Sequence, residues 1–242
     1  MEEKKNIRLN KYIAASGICS RRKADELISQ GLIKVNDKIV TSLGEKISEY
    51  DKVFYQDKLI NPEKPVYILL NKPKDYLTTV DDNRKRKTVL HLIGKRKERV
   101  YPVGRLDRST TGLLLLTNDG ELTKKLTHPS EKIPKVYEVK LNKPFSEKDF
   151  ENLKKGIQLE DGWVEIDDLA YPEKDNHYKI GIEIHSGKNR VIRRIFDKLN
   201  YDVKSLDRVL FAQLTKKDLP RGKWRYLEEK ELRWLKKLTN SS

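Results

Sequence analysis

The chain has 242 residues, 52 of them Lys or Arg against 37 Asp or Glu, with a formal net charge of +15 and a pI near 9.6. That length suffices for one large domain or two smaller ones, and the cationic excess points to a polyanionic partner, nucleic acid first, ahead of a merely lysine-rich surface. A single cysteine, Cys19, excludes an intramolecular disulfide and a cysteine-built zinc site, and apolar runs of at most five residues exclude a membrane-spanning helix.

From the amino terminus, the polar start Met1-Glu2-Glu3-Lys4-Lys5 and the lone cysteine lead to the expectation of a soluble, cytoplasmic protein. Leu9, Tyr12 and Ile13 give residues 8–16 a short helical pattern that stops at Gly17. Ser20 is the expected N-cap of a second helix, whose Ala24, Leu27 and Ile28 form an apolar stripe ended by Gly31. Leu32 to Val40 reads as a hairpin turning at Asn36-Asp37. Arg21, Arg22 and Lys23 fill the first turn of the second helix, where the macrodipole disfavours cations by ~0.3 to 1 kcal/mol each. Together with the free N–H groups of a helix start they read as a phosphate cradle. The segment Asn61-Pro62-Glu63-Lys64-Pro65 reads as a linker between a first domain, 7–60, and a second, 66–240.

The second domain opens with an expected buried strand, Val66 to Leu70, which Asn71-Lys72-Pro73 should break. Residues 66–106 carry 11 basic against 4 acidic side chains, so the charge is concentrated there. Arg84, Lys85, Arg86, Lys87, Lys95, Arg96, Lys97 and Arg99 read as a flexible loop that grips phosphates. Then comes Gly104-Arg105-Leu106-Asp107-Arg108-Ser109-Thr110-Thr111-Gly112, leading into Leu113 to Leu116. Four leucines in a row predict a strand covered on both faces. Asp107 therefore stands at the edge of the core beside Arg105 and Arg108, either as an aimed nucleophile or general base, or as a solvated turn residue.

Downstream, Glu121 to Leu126 reads as a short helix and Lys135 to Leu141 as an alternating strand. Tyr178, Ile180, Ile182 and Ile184 alternate as another strand. After a Ser186-Gly187 turn, a helix over 189–199 puts Val191, Ile192, Ile195, Phe196 and Leu199 on one arc and leaves Arg190, Arg193 and Arg194 outside it. Strands and helices without regular βαβ alternation predict an α+β fold on a mixed, largely antiparallel central sheet flanked by helices.

Two resemblances follow from these motifs. Arg8-Leu9-Asn10-Lys11-Tyr12, Ser20-Arg21-Arg22-Lys23-Ala24 and Gly31-Leu32-Ile33-Lys34-Val35-Asn36 resemble the alpha-L RNA-binding module found in a ribosomal small-subunit protein and in several RNA-modifying enzymes. Gly104-Arg105-Leu106-Asp107 with Thr110, Gly112 and Leu113 to Gly120, then Lys135-Val136-Tyr137, then Gly187-Lys188-Asn189-Arg190-Val191-Ile192-Arg193-Arg194, resemble three successive active-site motifs of the bacterial ribosomal-RNA pseudouridine synthases. With the tail Leu219-Pro220-Arg221-Gly222-Lys223-Trp224-Arg225, the similarity extends over nearly the whole chain and is greatest to the large-subunit synthase B group.

The resemblance implies isomerisation of a specific uridine to pseudouridine in ribosomal RNA, of the large subunit, after the base is flipped out. In that reading Asp107 is the nucleophile, and Tyr137 stacks on the extruded uracil. Arg193 pairs with Asp107, and Ile192 supports the base. Residue types alone favour reading Tyr137 as a core strand tyrosine and Arg193 as a solvated helix residue, and only the resemblance gives them these roles. RNA contacts are expected from Arg8, Lys11, Arg21, Arg22, Lys23, Arg84, Lys85, Arg86, Lys87, Arg105, Lys188, Arg190 and Arg194. Two positions depart from the family pattern: Val191 stands where many relatives carry Gln or Glu, and Arg108-Ser109 replaces a more common acidic pair.

His91, His128, His177 and His185 are scattered, so no metal site is expected. Gly94-Lys95-Arg96 lacks the rest of a phosphate-binding P-loop, and neither ATP, NAD nor another cofactor is implied. The expected partner is ribosomal RNA or an assembling ribosomal subunit, met by a monomer. The rivals are a non-catalytic RNA-binding assembly factor and, on charge alone, a DNA-binding protein.

Overall fold

The computed structural model describes residues 7–80 and 82–239; the expected domain end at Asn240 lies outside them. The chain divides into two compact units, residues 1–66 with 97–99, and residues 67–96 with 100–242.

In the first unit, β1 (Ile7–Arg8) runs into α1 (Leu9–Ala15), and α2 (Arg21–Ser29) follows. Ser20 caps α2, its side chain accepting from the Lys23 N–H at 3.2 Å. Asn10 ties the two helices by donating to both carboxylate oxygens of Asp25 at 3.0 and 3.1 Å. Then come β2 (Ile33–Val35), β3 (Lys38–Val40), β4 (Lys46–Ile47), β5 (Val53–Tyr55) and β6 (Lys58–Ile60). β4 pairs with β1, and the others form an antiparallel sheet in the order β3-β2-β5-β6. Leu9, Ile13, Ala24, Leu27, Ile28, Ile33 and Val53 make one apolar core. The expected linker is part of this unit: the Glu63 N–H donates to the Ala15 carbonyl at 2.9 Å.

The second unit is built on a nine-stranded sheet. Its elements begin with β7 (Tyr67–Lys72), α3 (Val89–Ile93), β8 (Tyr101–Pro102), β9 (Thr111–Thr117), α4 (Gly120–Thr127), β10 (Lys135–Leu141) and α5 (Glu147–Lys154). A hairpin of β11 (Ile157–Leu159) and β12 (Gly162–Val164) precedes β13 (Asp168–Ala170), β14 (Lys179–Ile184), α6 (Val191–Lys198) and β15 (Val203–Phe211). β16 (Leu214–Thr215), β17 (Trp224–Tyr226) and α7 (Glu229–Leu238) complete it. The strand order is β13-β14-β10-β15-β9-β7-β17, with β8 added to β9 and β16 to β15. Every pairing is antiparallel except β9 with β15, so the sheet is mixed as expected. Leu113 to Leu116 on β9 are wholly buried, which explains why that strand does not alternate.

Four expectations need correction. β7 does not break at Asn71 but continues through Lys72, because Asn71 and Lys72 find polar partners inside the protein; only Pro73, which has no N–H for the ladder, ends it. The basic run 84–99 is not one loop, since α3 interrupts it with Val89 and Ile93 buried and with the Thr88 N–H donating to His91 Nδ1 at 3.0 Å. Tyr178 lies outside β14, whose ladder starts at Lys179. The helix expected from Asn189 begins at Val191, because Arg190 takes a left-handed conformation (φ 48°) that no helix continues.

Candidate active site

A cavity of about 610 Å³ lies in the second unit, lined by the loop between β8 and β9, by β10, β15 and the start of α6. Asp107 stands in its wall, held by backbone on both sides. Thr78 Oγ1 donates to the Leu106 carbonyl at 2.8 Å, and the Thr110 N–H donates to the Asp107 carbonyl at 3.1 Å. Gly112 closes the loop at φ 106° where β15 crosses: a Cβ there would meet the Arg208 backbone oxygen at 2.3 Å. Only glycine permits this approach of two parallel strands.

Beneath the loop lies a residue that the sequence did not single out. Lys72 is 0% exposed, and its ammonium donates to the carbonyls of Thr110 (2.8 Å), Asp107 (3.1 Å), Pro73 (3.1 Å) and Arg108 (3.3 Å). One cation thus gathers three carbonyls of the segment that carries Asp107. Burial pushes the Lys72 ammonium down to about 8, against the pull of nearby Asp107 and Asp75. Arg221 supports the strand from behind, donating to the Lys72 carbonyl at 3.3 Å and pairing with Asp207 at 2.9 Å. The sequence carries no local signal for this role, because a lysine ending an apolar strand can equally reach solvent along its aliphatic stem.

Two arginines face the Asp107 carboxylate. Arg190, expected on RNA, donates to Oδ2 at 3.3 Å; Arg193, expected as the partner, approaches it only to 3.9 Å through Nε. Arg190 reaches Asp107 from a left-handed backbone position just ahead of α6. Arg193 is the more enclosed of the two, and its terminal nitrogens donate to Ser109 Oγ at 3.1 Å and the Val203 carbonyl at 3.3 Å. Burial and the neighbouring Arg190 lower its pKa, while Asp107 opposes them. The Arg108-Ser109 departure acquires a structural account here: Ser109 receives Arg193, and Arg108 pairs with Asp75 at 3.0 Å.

Tyr137 is 9% exposed and lines the cavity from β10, opposite Arg208 in the ladder. Ile192, 2% exposed, and Val191 line it from α6. Val191 is buried, so the polar side chain expected in many relatives has no counterpart at that position.

The basic residues expected on RNA fall into two groups. Arg86 is drawn back onto Asp82, an acid that the charge pattern of the loop did not bring out; Arg194 grips Asp161 and the Asn189 carbonyl. Lys188 donates to the Asp161 and Trp163 carbonyls at 2.9 and 3.2 Å, so with Arg194 it fastens the β11–β12 hairpin to the start of α6. Arg105 is exposed on the cavity rim, and Arg84, Lys85 and Lys87 are exposed on the loop ahead of α3. In the first unit Arg8, Arg21, Arg22 and Lys23 are exposed and Lys11 is half-buried; Lys23 pairs with Glu26 at 2.6 Å. His185 is not isolated, since its ring lies 2.8 Å from Asp167 and 3.5 Å from Glu165, neighbours across a strand pairing.

The family described as RNA pseudouridylate synthase matches residues 66–198, and the S4 domain family matches residues 7–53. The chain is 39% identical over 236 residues to the ribosomal large subunit pseudouridine synthase B of Bacillus subtilis (strain 168), covering 96% of this chain and 97% of the relative. It is 35% identical over 240 residues to the dual-specificity RNA pseudouridine synthase RluF of Escherichia coli (strain K12), covering 98% of this chain and 81% of RluF. A crystal structure of a pseudouridylate synthase matches at 29% identity with a TM-score of 0.68, covering 95% of this chain and 99% of the other.

Proposed function

The chain belongs to the RNA pseudouridylate synthase family, and on that premise we propose that it converts a specific uridine of large-subunit ribosomal RNA to pseudouridine, with Asp107 as the nucleophile. The observation that carries the assignment is a carboxylate on a backbone-fastened loop, faced by Arg190 and Arg193, in a cavity whose other walls are Tyr137 and Ile192.

The target uridine leaves its stack and enters the cavity, where the Tyr137 face and the Ile192 side chain receive the base. Arg190 and Arg193 aim the Asp107 carboxylate at the nucleoside. Attack frees the base from N1 attachment, the base turns, and C5 joins the ribose. This isomerisation conserves all atoms and calls for no cofactor. The S4 domain supplies RNA affinity through the exposed cations at the start of α2, and Arg105, Arg84, Lys85 and Lys87 extend that affinity around the cavity. The protein acts as a monomer in the cytoplasm; among the described residues no helix is long and apolar enough to cross a membrane.

Mapping pseudouridines in ribosomal RNA from cells with and without this protein tests the proposal. The expected result is loss of one or a few sites from large-subunit RNA in its absence, restored by the wild-type chain. An unchanged map would leave an RNA-binding assembly factor and contradict catalysis.

A further inference from the structure

The floor of the cavity holds two cations that no step above uses. Lys135 opens β10 two residues before Tyr137, so both side chains leave the same face of the strand. Its ammonium donates to the Ile133 and His185 carbonyls, each at 2.8 Å, which accounts for two of its three protons. Arg208, opposite Tyr137 on β15, is 3% exposed and also lines the cavity. Its Nε donates to the Leu113 carbonyl at 2.8 Å and its guanidinium lies 4.5 Å from the centre of the Phe211 ring, but Nη2 is buried without a hydrogen-bond partner.

Such an orphan is rare in a folded protein and calls for an explanation. Among the described residues five buried side-chain atoms lack a partner, and three of them belong to this site: Arg208 Nη2, Thr110 Oγ1 and the Arg193 Nε that points at Asp107. All three are closed to solvent in the free protein, so a ligand oxygen reaches Arg208 Nη2 only when the guanidinium turns toward the cavity that Arg208 lines. At Lys135, burial and the like charge of Arg208 push the ammonium down to about 8. The protein places two cations beside the aromatic platform, and among the described residues only Asp167 acts against the lowering of the Lys135 pKa.

We propose that Lys135 and Arg208 form a cationic pair that takes a carbonyl oxygen of the extruded uracil and carries the negative charge the ring acquires during isomerisation. The assignment rests on the function proposed above. If Asp107 attacks C1′, the C1′–N1 bond breaks and its electron pair passes to the ring, shared with the carbonyl oxygens. If it attacks C6, the C5=C6 pair moves onto O4, and the C1′–N1 bond breaks with its electron pair on N1 as C5 takes C1′. On both routes an oxygen of the base becomes anionic. The charge is discharged when C5 bonds to C1′ and the Asp107 carboxylate recovers its pair; C5 then gives up a proton and N1 gains one. Donors that are already desolvated stabilise such an oxygen more than donors in water do.

Single-turnover tritium release from a large-subunit RNA transcript carrying [5-³H]uridine, read together with RNA affinity, tests the pair. No release by the wild type would overturn the function itself, not the pair alone. With wild-type release established, Lys135→Met should slow it at least a hundredfold with the RNA Kd within threefold. Lys135→Arg should recover the rate to within tenfold, and Arg208→Lys should lose at least tenfold. Should Lys135→Met fail to fold, the other two variants decide. The proposal is overturned if Lys135→Met keeps its rate within threefold, if Lys135→Arg falls as far as Lys135→Met, or if Arg208→Lys retains the wild-type rate.

Discussion

Two groups of cations in this molecule do opposite things. At the start of α2, Arg21, Arg22 and Lys23 stand exposed in a turn where the helix dipole disfavours them. Around the cavity, Lys72 holds carbonyls, Arg190 and Arg193 face Asp107, and Lys188 with Arg194 binds the hairpin turn at Asp161. In the first group Arg21 and Arg22 are available to a polyanion at the expense of helix stability, and Lys23 is exposed beside them while paired with Glu26. The second group is engaged with protein and shapes the site. Net charge therefore overstates the RNA-binding surface of the second unit, because several of its cations are engaged internally.

The sharpest way to break this contrast is at Lys72. Lys72→Met removes the ammonium and leaves its carbonyls unpaired in the interior, which should cost about 3 kcal/mol of stability. Displacement of the Asp107 loop should slow the chemistry by about a hundredfold even in the folded fraction. Urea unfolding and single-turnover rates measure both; a variant as stable and as fast as wild type would show that the buried lysine organises nothing.

At the other end of the comparison the effect is smaller and purely electrostatic. Replacing Arg21, Arg22 and Lys23 together with Ala should leave the turnover of bound RNA unchanged and flatten the salt dependence of RNA affinity. The slope should change by roughly 0.7 to 0.9 for each phosphate that is no longer neutralised. An unchanged slope would remove the cradle from the binding surface.

What could be read from the sequence divides along the same line. Ser20 as a cap, the covered Leu113 to Leu116 strand and the apolar arc of α6 rest on neighbours in the chain, and all three stand in the structure. Partnerships across many residues were not readable. Lys72 finds three of its four acceptors more than thirty residues away, and Arg194 finds Asp161 thirty-three residues earlier. That Arg190 joins Arg193 at the Asp107 carboxylate was not readable either, and Arg190 takes a left-handed backbone conformation that no periodicity reports. α3 was hidden because charge on either side of Val89 to Ile93 read as a loop, while burial of two apolar side chains made it a helix. The orphaned Arg208 nitrogen belongs to a strand whose neighbours only the sheet order identifies.

The central claim is that Asp107 does the chemistry while the rest of the site holds and aims it. Wild type and Asp107→Asn, titrated with the same large-subunit RNA transcript and assayed in one sample for bound RNA and pseudouridine formed, test it directly. The expected result is RNA affinity within a few fold of wild type with pseudouridine formation lower by roughly a thousandfold or more. Turnover by Asp107→Asn at a rate near that of the wild type would contradict the assignment.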